Sequence, residues 1–135
     1  MKTQRAVEAP LRTVAALGGT PALALSAWRG ASGRRYVVGI HPVDVVSVED
    51  CGPAVVLAVR REHTGLSTLM AVEIADGTGI RNATAWIRNI RADGCNEIHI
   101  HRLCEGYAER AALLHDLTTT AVAPQPDAGL ARFGG

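Results

Sequence analysis

The sequence predicts an α+β domain with a mostly antiparallel sheet in the order β-β-β-β-α-β-α and two helices packed on one face. Three observations carry that prediction. Short apolar runs rich in β-branched residues are separated by Gly- and Pro-bearing turns, the pattern of strands. Two of the runs, 54–61 and 67–74, are joined by about five residues, which suits a hairpin and hence antiparallel pairing. Two later stretches change to the three- and four-residue spacing of amphipathic helices.

Bulk properties agree with one domain. The chain has 135 residues, 47% hydrophobic and 20% charged, so it carries enough apolar surface to offset the entropy of ordering. Aromatics make up only 4%, which leaves Val, Ile, Leu and Ala to build the core. A net charge of +1 implies no strong nucleic-acid or membrane field. No run is apolar for the ~20 residues that a membrane-spanning helix needs. Three cysteines, Cys51, Cys95 and Cys104, have no repeated spacing, so a disulfide framework is not expected and a cytoplasmic location is.

Residues 1–22 begin with basic residues and a mildly apolar stretch, the outline of an export signal. Glu8, Pro10, Gly18, Gly19 and Pro21 interrupt it, and a flexible arm is expected there. The domain is expected over 23–119, with a flexible tail over 120–135, where prolines and glycines accumulate.

The first two strands form a hairpin, "LALSAWRG" and "RRYVVGIH" about "ASG". In the second, Tyr36, Val38 and Ile40 share one face and Val37, Gly39 and His41 the other. Pro42 ends it, and "VDVVSVEDCGP" reads as either a short edge strand or a loop. The run "AVVLAVRR" is apolar throughout, as in a central strand buried on both sides. "STLMAVEI" is its hairpin partner.

Ile80, Ala83, Ile87 and Ile90 then mark a helix starting near Ile80, capped by Asp76 or Thr78 and ended at Gly94. "NEIHIHRL" is the last strand. "GYAERAALLHDLTT" is a second helix with Tyr107, Ala111, Leu114 and Leu117 as its apolar stripe and Glu109 in the first turn.

On the strand at 96–103, Ile98 and Ile100 are expected to face the core, and His99 and His101 the opposite side, exposed or under a loop. Residues two apart lie about 6.5–7 Å from each other. Two imidazoles so placed can converge on one ion, which makes His99 and His101 candidate metal ligands. A zinc site needs three or four protein ligands. Cys104, Glu105, His41, His63 and His115 are the residues available to complete it.

Cys51 follows Glu49 and Asp50, and nearby acids disfavour a thiolate. Cys104 precedes a helix start, the better electrostatic setting for a nucleophile. Gly77 and Gly79 before a helix, with Arg81 beside them, outline an anion-binding turn without the P-loop lysine or the dinucleotide spacing. Arg81 and Arg88, seven apart, fall on one helix face and form a candidate nucleic-acid stripe.

From Pro53 to Leu117, the succession "PAVVLAVRRE", "STLMAVEIADGTGIRNATAWIRNIRADGCNEIHIH" and the "ER…DL" helix resembles the β-β-α-β-α core of the GIY-YIG nuclease-like fold. The resemblance implies metal-dependent cleavage of a DNA backbone, with Arg81 and Glu109 near the positions of that family's arginine and glutamate. Its hairpin tyrosines have no counterpart in this chain, so the implied likeness is to a degenerate member. The pattern "SGRRYVV…AVVLAVRR…EIHIH" is also similar to that of small bacterial proteins with no assigned activity.

The sequence thus leads to a non-catalytic binding or regulatory domain that acts on a protein partner or by self-association. A metal-dependent hydrolase using His99 and His101 or the Arg81 region is one alternative, and a nucleic-acid-binding module is another. The sequence names no cofactor.

Overall fold

The computed structural model describes residues 3–4, 6–10, 24–119 and 121–122. Its strands are β1 (Thr3–Gln4), β2 (Val7–Pro10), β3 (Leu25–Arg29), β4 (Arg35–Pro42), β5 (Ala54–Arg61), β6 (Ser67–Ala75), β7 (Glu97–His101) and β8 (Ala121–Val122). Its helices are α1 (Val45–Glu49), α2 (Ala83–Ala92) and α3 (Tyr107–Thr118). The fold is α+β, and every strand pair is antiparallel.

Six strands form one sheet in the order β2-β3-β4-β7-β5-β6. Each expected hairpin forms. The β3–β4 turn is closed by the Gly33 amide on the Gly30 carbonyl at 3.0 Å, with Gly33 at φ +89°. The β5–β6 turn uses Gly65 at φ +94°, a conformation that favours glycine. The two hairpins do not meet directly. Strand β7, last in sequence, enters between them and pairs with both β4 and β5.

The sheet curls until its two edges approach, and Ser67 on β6 donates to Glu8 on β2 at 2.7 Å. The curl gives the sheet an inner and an outer face. Alternation along β5 assigns Val56 and Ala58 to the outer core, and Val55, Leu57 and Val59 to the inner one. All are fully buried, each worth roughly 1.5–3 kcal/mol for a Val- or Leu-sized side chain.

The helices do not share a face, in contrast to the sequence expectation. Ile87 and Ile90 of α2, with Val48 of α1, pack on the outer core. Leu113 and Leu117 of α3 cover the inner one. A sheet whose central strands are apolar on both sides needs a cover on both. The stripe of α3 is also displaced from the expected one: Leu113 and Leu117 are buried, while Tyr107 is 59% exposed.

Several local expectations are corrected as well. The ambiguous segment after Pro42 holds the short helix α1, whose first turn is capped by Asp44 accepting from the Val46 amide at 2.9 Å. Helix α2 begins at Ala83, after Asn82 in a left-handed conformation, so neither Asp76 nor Thr78 caps it. Its end matches the reading of Gly94: φ is +92°, Gly94 N–H bonds Arg91 O at 2.9 Å, and Cys95 N–H bonds Ile90 O at 3.0 Å. That pair of bonds is the Schellman ending.

Residues 7–10, assigned by sequence to a flexible arm, form the edge strand β2. Thr3–Gln4 pair with Ala121–Val122. The rest of the arm expectation, on 11–22, and the tail expectation, on 123–135, lie outside the described residues. Among the described residues, no helix is long and apolar enough to cross a membrane.

Candidate functional site

Strand β7 determines the fate of the histidines. Because it is central, Ile98 and Ile100 face α2 as expected, while His99 and His101 point into the curl. His99 is 0% exposed and His101 6%, so neither lies on an open surface.

His99 is held from both sides. Its Nδ1 accepts the indole N–H of Trp28 at 2.9 Å. Its Nε2 lies 2.9 Å from a Glu97 oxygen, so the ring proton sits on Nε2 and donates there. Around it runs a closed polar network. Arg61 Nε donates to both Glu97 oxygens at 2.9 and 3.1 Å. Its Nη2 donates to both Glu8 oxygens at 3.0 Å. Ser26 and Ser67 donate to Glu8 at 2.6 and 2.7 Å.

Burial pushes the Glu8 carboxyl up, but the bonds from Arg61, Ser26 and Ser67 outweigh it and hold the group below its usual range. Glu97 is held down in the same way, by Arg61 and His99 against burial. Burial keeps the His99 imidazole below its usual range, against the pull of Glu97 and Glu8.

Every member of this network has a partner. The lone pair of His99 Nδ1 is taken by Trp28, and Nε2 faces Glu97, so the ring does not offer a ligand atom beside His101. Among the described residues, no group of three or more His, Cys, Asp or Glu is placed to hold a metal ion. Sequence reasoning assigned Glu8 and Arg61 no part in a buried polar site. The outward drift of "AVVLAVRR" into Arg60-Arg61 was a faint signal, and Glu8 gave none, because its strand was read as an arm.

His101 belongs to a different setting. Its Nδ1 lies 2.7 Å from the Val37 carbonyl oxygen and must carry the proton there. The ring meets Tyr36 edge-on, with centroids 5.9 Å apart. It borders a cleft of about 600 Å³ between the β3–β4 turn, the end of β7 and α3. That size is within the range of small-molecule sites. The turn contributes Ser32, Arg34, Arg35 and Tyr36. The segment after β7 contributes Leu103 and Cys104, and α3 contributes Glu109, Leu113, His115 and Asp116.

Asp116 fixes the width of this cleft. Its Oδ2 accepts from Tyr36 Oη and Ser32 Oγ at 2.7 Å each, and its Oδ1 from the Ser32 amide at 2.8 Å. Its carbonyl accepts from the Ala31 amide at 3.0 Å. Gly30 lies so close that a Cβ there would run into the Asp116 carboxylate. Burial raises the Asp116 carboxyl, and the Ser32 and Tyr36 bonds more than reverse it. Burial and Asp116 together push the Tyr36 phenol up to about 12.

Of the two acids of the cleft, Asp116 is thus filled on both oxygens, and Glu109 accepts one bond, from the Glu105 amide at 3.2 Å. The basic side chains are less engaged. Among the described residues, the side chains of Arg34, Arg35 and His115 have no hydrogen-bond or ion-pair partner, and neither has His101 Nε2. Arg34 lies over the Tyr36 ring, 5.8 Å from its centre.

The other sequence candidates are dispersed. Arg81 is exposed in the turn before α2, so it does not share a helix face with Arg88. Arg88 borders a separate groove of about 370 Å³ with Val45 and Arg91. Gly79 packs against the Val48 and Glu49 carbonyls of α1, which occupy the space an anion would need. Cys104 does border the cleft, but burial and Glu109 push its thiol up, away from a thiolate. Glu109 lies on α3, across the sheet from α2.

Comparison with known families, with curated proteins and with solved structures finds no match to this chain.

Proposed function

We propose that this chain is a non-catalytic binding domain that takes a small organic anion in the cleft between α3 and the β3–β4 turn. One observation carries the reading: the cleft gathers the Arg34 and Arg35 guanidinium groups and the His115 ring, whose side chains have no protein partner among the described residues, while the Asp116 carboxylate is already filled by Ser32 and Tyr36. Unfilled donors beside filled acceptors favour an anionic guest. Leu103 and Leu113 give its organic body an apolar wall.

Catalysis has less support. The Cys104 thiol is disfavoured as a nucleophile. The His99 ring is committed to Trp28 and Glu97.

Calorimetric titration of the whole chain with inorganic phosphate and with acetate tests the reading. Weak, saturable binding that falls with added salt is expected. Arg34→Ala and Arg35→Ala should each lower affinity by about twofold to fivefold, as exposed charge pairs do. Absence of saturable binding to either anion contradicts it. Binding only to a polynucleotide, weakened by Arg88→Ala, supports a nucleic-acid module instead.

A further inference from the structure

We infer that His101 selects, among organic anions, those that carry a hydroxyl or N–H group beside the charge, such as hydroxylated phosphate monoesters or 2-hydroxy acids. The inference rests on the cleft being an anion site. It adds the chemistry of the guest's other end.

The reasoning starts from the ring's tautomer. The Val37 carbonyl can only accept, and it lies 2.7 Å from His101 Nδ1. The proton of the neutral ring is therefore fixed on Nδ1, and Nε2 presents a lone pair. Among the described residues nothing donates to that lone pair. His99, two residues earlier, shows the contrast: there the acceptor nitrogen is filled by Trp28.

Position adds the second element. His101 is 6% exposed and borders the cleft, whereas Arg34 and Arg35 are exposed at its rim. The Tyr36 hydroxyl does not compete as a donor to the guest, because it is spent on Asp116 at 2.7 Å. A guest whose anion meets the rim arginines brings its remaining end toward His101. An apolar end covers this acceptor, takes it from water and leaves it unpaired, while a hydroxyl or N–H end satisfies it. A site built to hydrogen-bond a donor discriminates against the analogue that lacks it.

The test compares matched ligands on the full chain: methyl phosphate against glycerol 3-phosphate, and propionate against lactate. The hydroxylated member of each pair is expected to bind about threefold to tenfold tighter, the worth of one hydrogen bond. His101→Phe should remove that preference, so that the two members of each pair bind alike. Since loss of the Val37 bond can unfold this variant, the His101 ring nitrogens are also followed in wild type by NMR. Nδ1 should appear protonated and Nε2 unprotonated, with Nε2 moving only on addition of the hydroxylated ligand. Equal affinities within a pair, or an unmoved Nε2, overturn the role of His101 and leave the anion site standing. Failure of all four ligands to bind overturns the anion site itself.

Discussion

The Trp28 indole donates its N–H to Nδ1 of His99 at 2.9 Å, deep inside the curl of the sheet. Neither residue has any exposed surface, and the bond joins strands that are 71 residues apart in sequence. It ties the first hairpin to the central strand and fixes the tautomer through which His99 reaches Glu97.

Breaking that bond should be costly. Trp28→Phe leaves a buried ring nitrogen without its donor, and a loss of about 1–3 kcal/mol is expected. Urea unfolding of Trp28→Phe, His99→Leu and the double variant checks it. The double variant should lose less than the sum of the single ones, because each single change already removes the shared bond.

Glu8 should hold β2 to the rest of the sheet. Glu8→Ala removes the acceptor of Ser26, Ser67 and Arg61, while Arg61 keeps Glu97. A loss of about 1.5–3 kcal/mol is expected, typical of hydrogen bonds to a charged group. Amide exchange should accelerate along β2 and β3 and remain slow in β5 and β7. Uniform exchange changes, or none, would show that the strand is held by other means.

Much of this fold was legible in the sequence. Both hairpins, the helix ending at Gly94 and the packing of Ile98 and Ile100 against a helix follow from period and turn chemistry. What was not legible was strand order. "EIHIH" alternates like a half-exposed strand, and nothing local reveals that it enters between β4 and β5 and is covered on both faces. The burial of His99 and His101 is a consequence of that insertion alone. The same gap hid α3's side of the sheet, and with it the cleft. Sequence reasoning named His101 and His115 as metal ligands and Cys104 as a ligand or nucleophile, because no spacing rule connects them to Arg34 or Tyr36. Glu8 was lost for a simpler reason, since a four-residue strand in a Gly- and Pro-rich stretch carries too little pattern to read.

Acid should destabilise the protein in two stages. His99 has its folded-state pKa below the ordinary 6.5, so the unfolded chain binds the proton more readily, and stability falls once pH drops below about 6.5. His41, held down first by burial and then by Arg102, acts in the same direction. Glu8 and Glu97 are held below the ordinary 4.5, so their contribution is complete above that value and is lost as pH falls through their folded-state values. Denaturation midpoints measured from pH 8 to pH 3 should decline in both ranges, and His99→Leu should flatten the upper one.

Asp116 should control both the cleft and the Tyr36 phenol. With Tyr36 raised to about 12 against an ordinary 10, the folded state holds its proton longer, so stability is full below pH 10 and declines as pH rises toward 12. In Asp116→Ala the phenol loses its acceptor, and the tyrosine absorbance titration should lose its component near 12. Anion affinity should fall with it, because the turn carrying Arg34 and Arg35 is no longer fastened to α3.

The most direct measurement is chemical-shift mapping of the whole chain during titration with inorganic phosphate, wild type beside Arg34→Ala/Arg35→Ala. Saturable shifts confined to Ser32, Arg35, His101 and the His115–Asp116 turn of α3, lost in the double variant, are the expected result. Shifts spread over the surface, centred on the Arg88 groove, or unchanged in the double variant would contradict an anion site in the cleft.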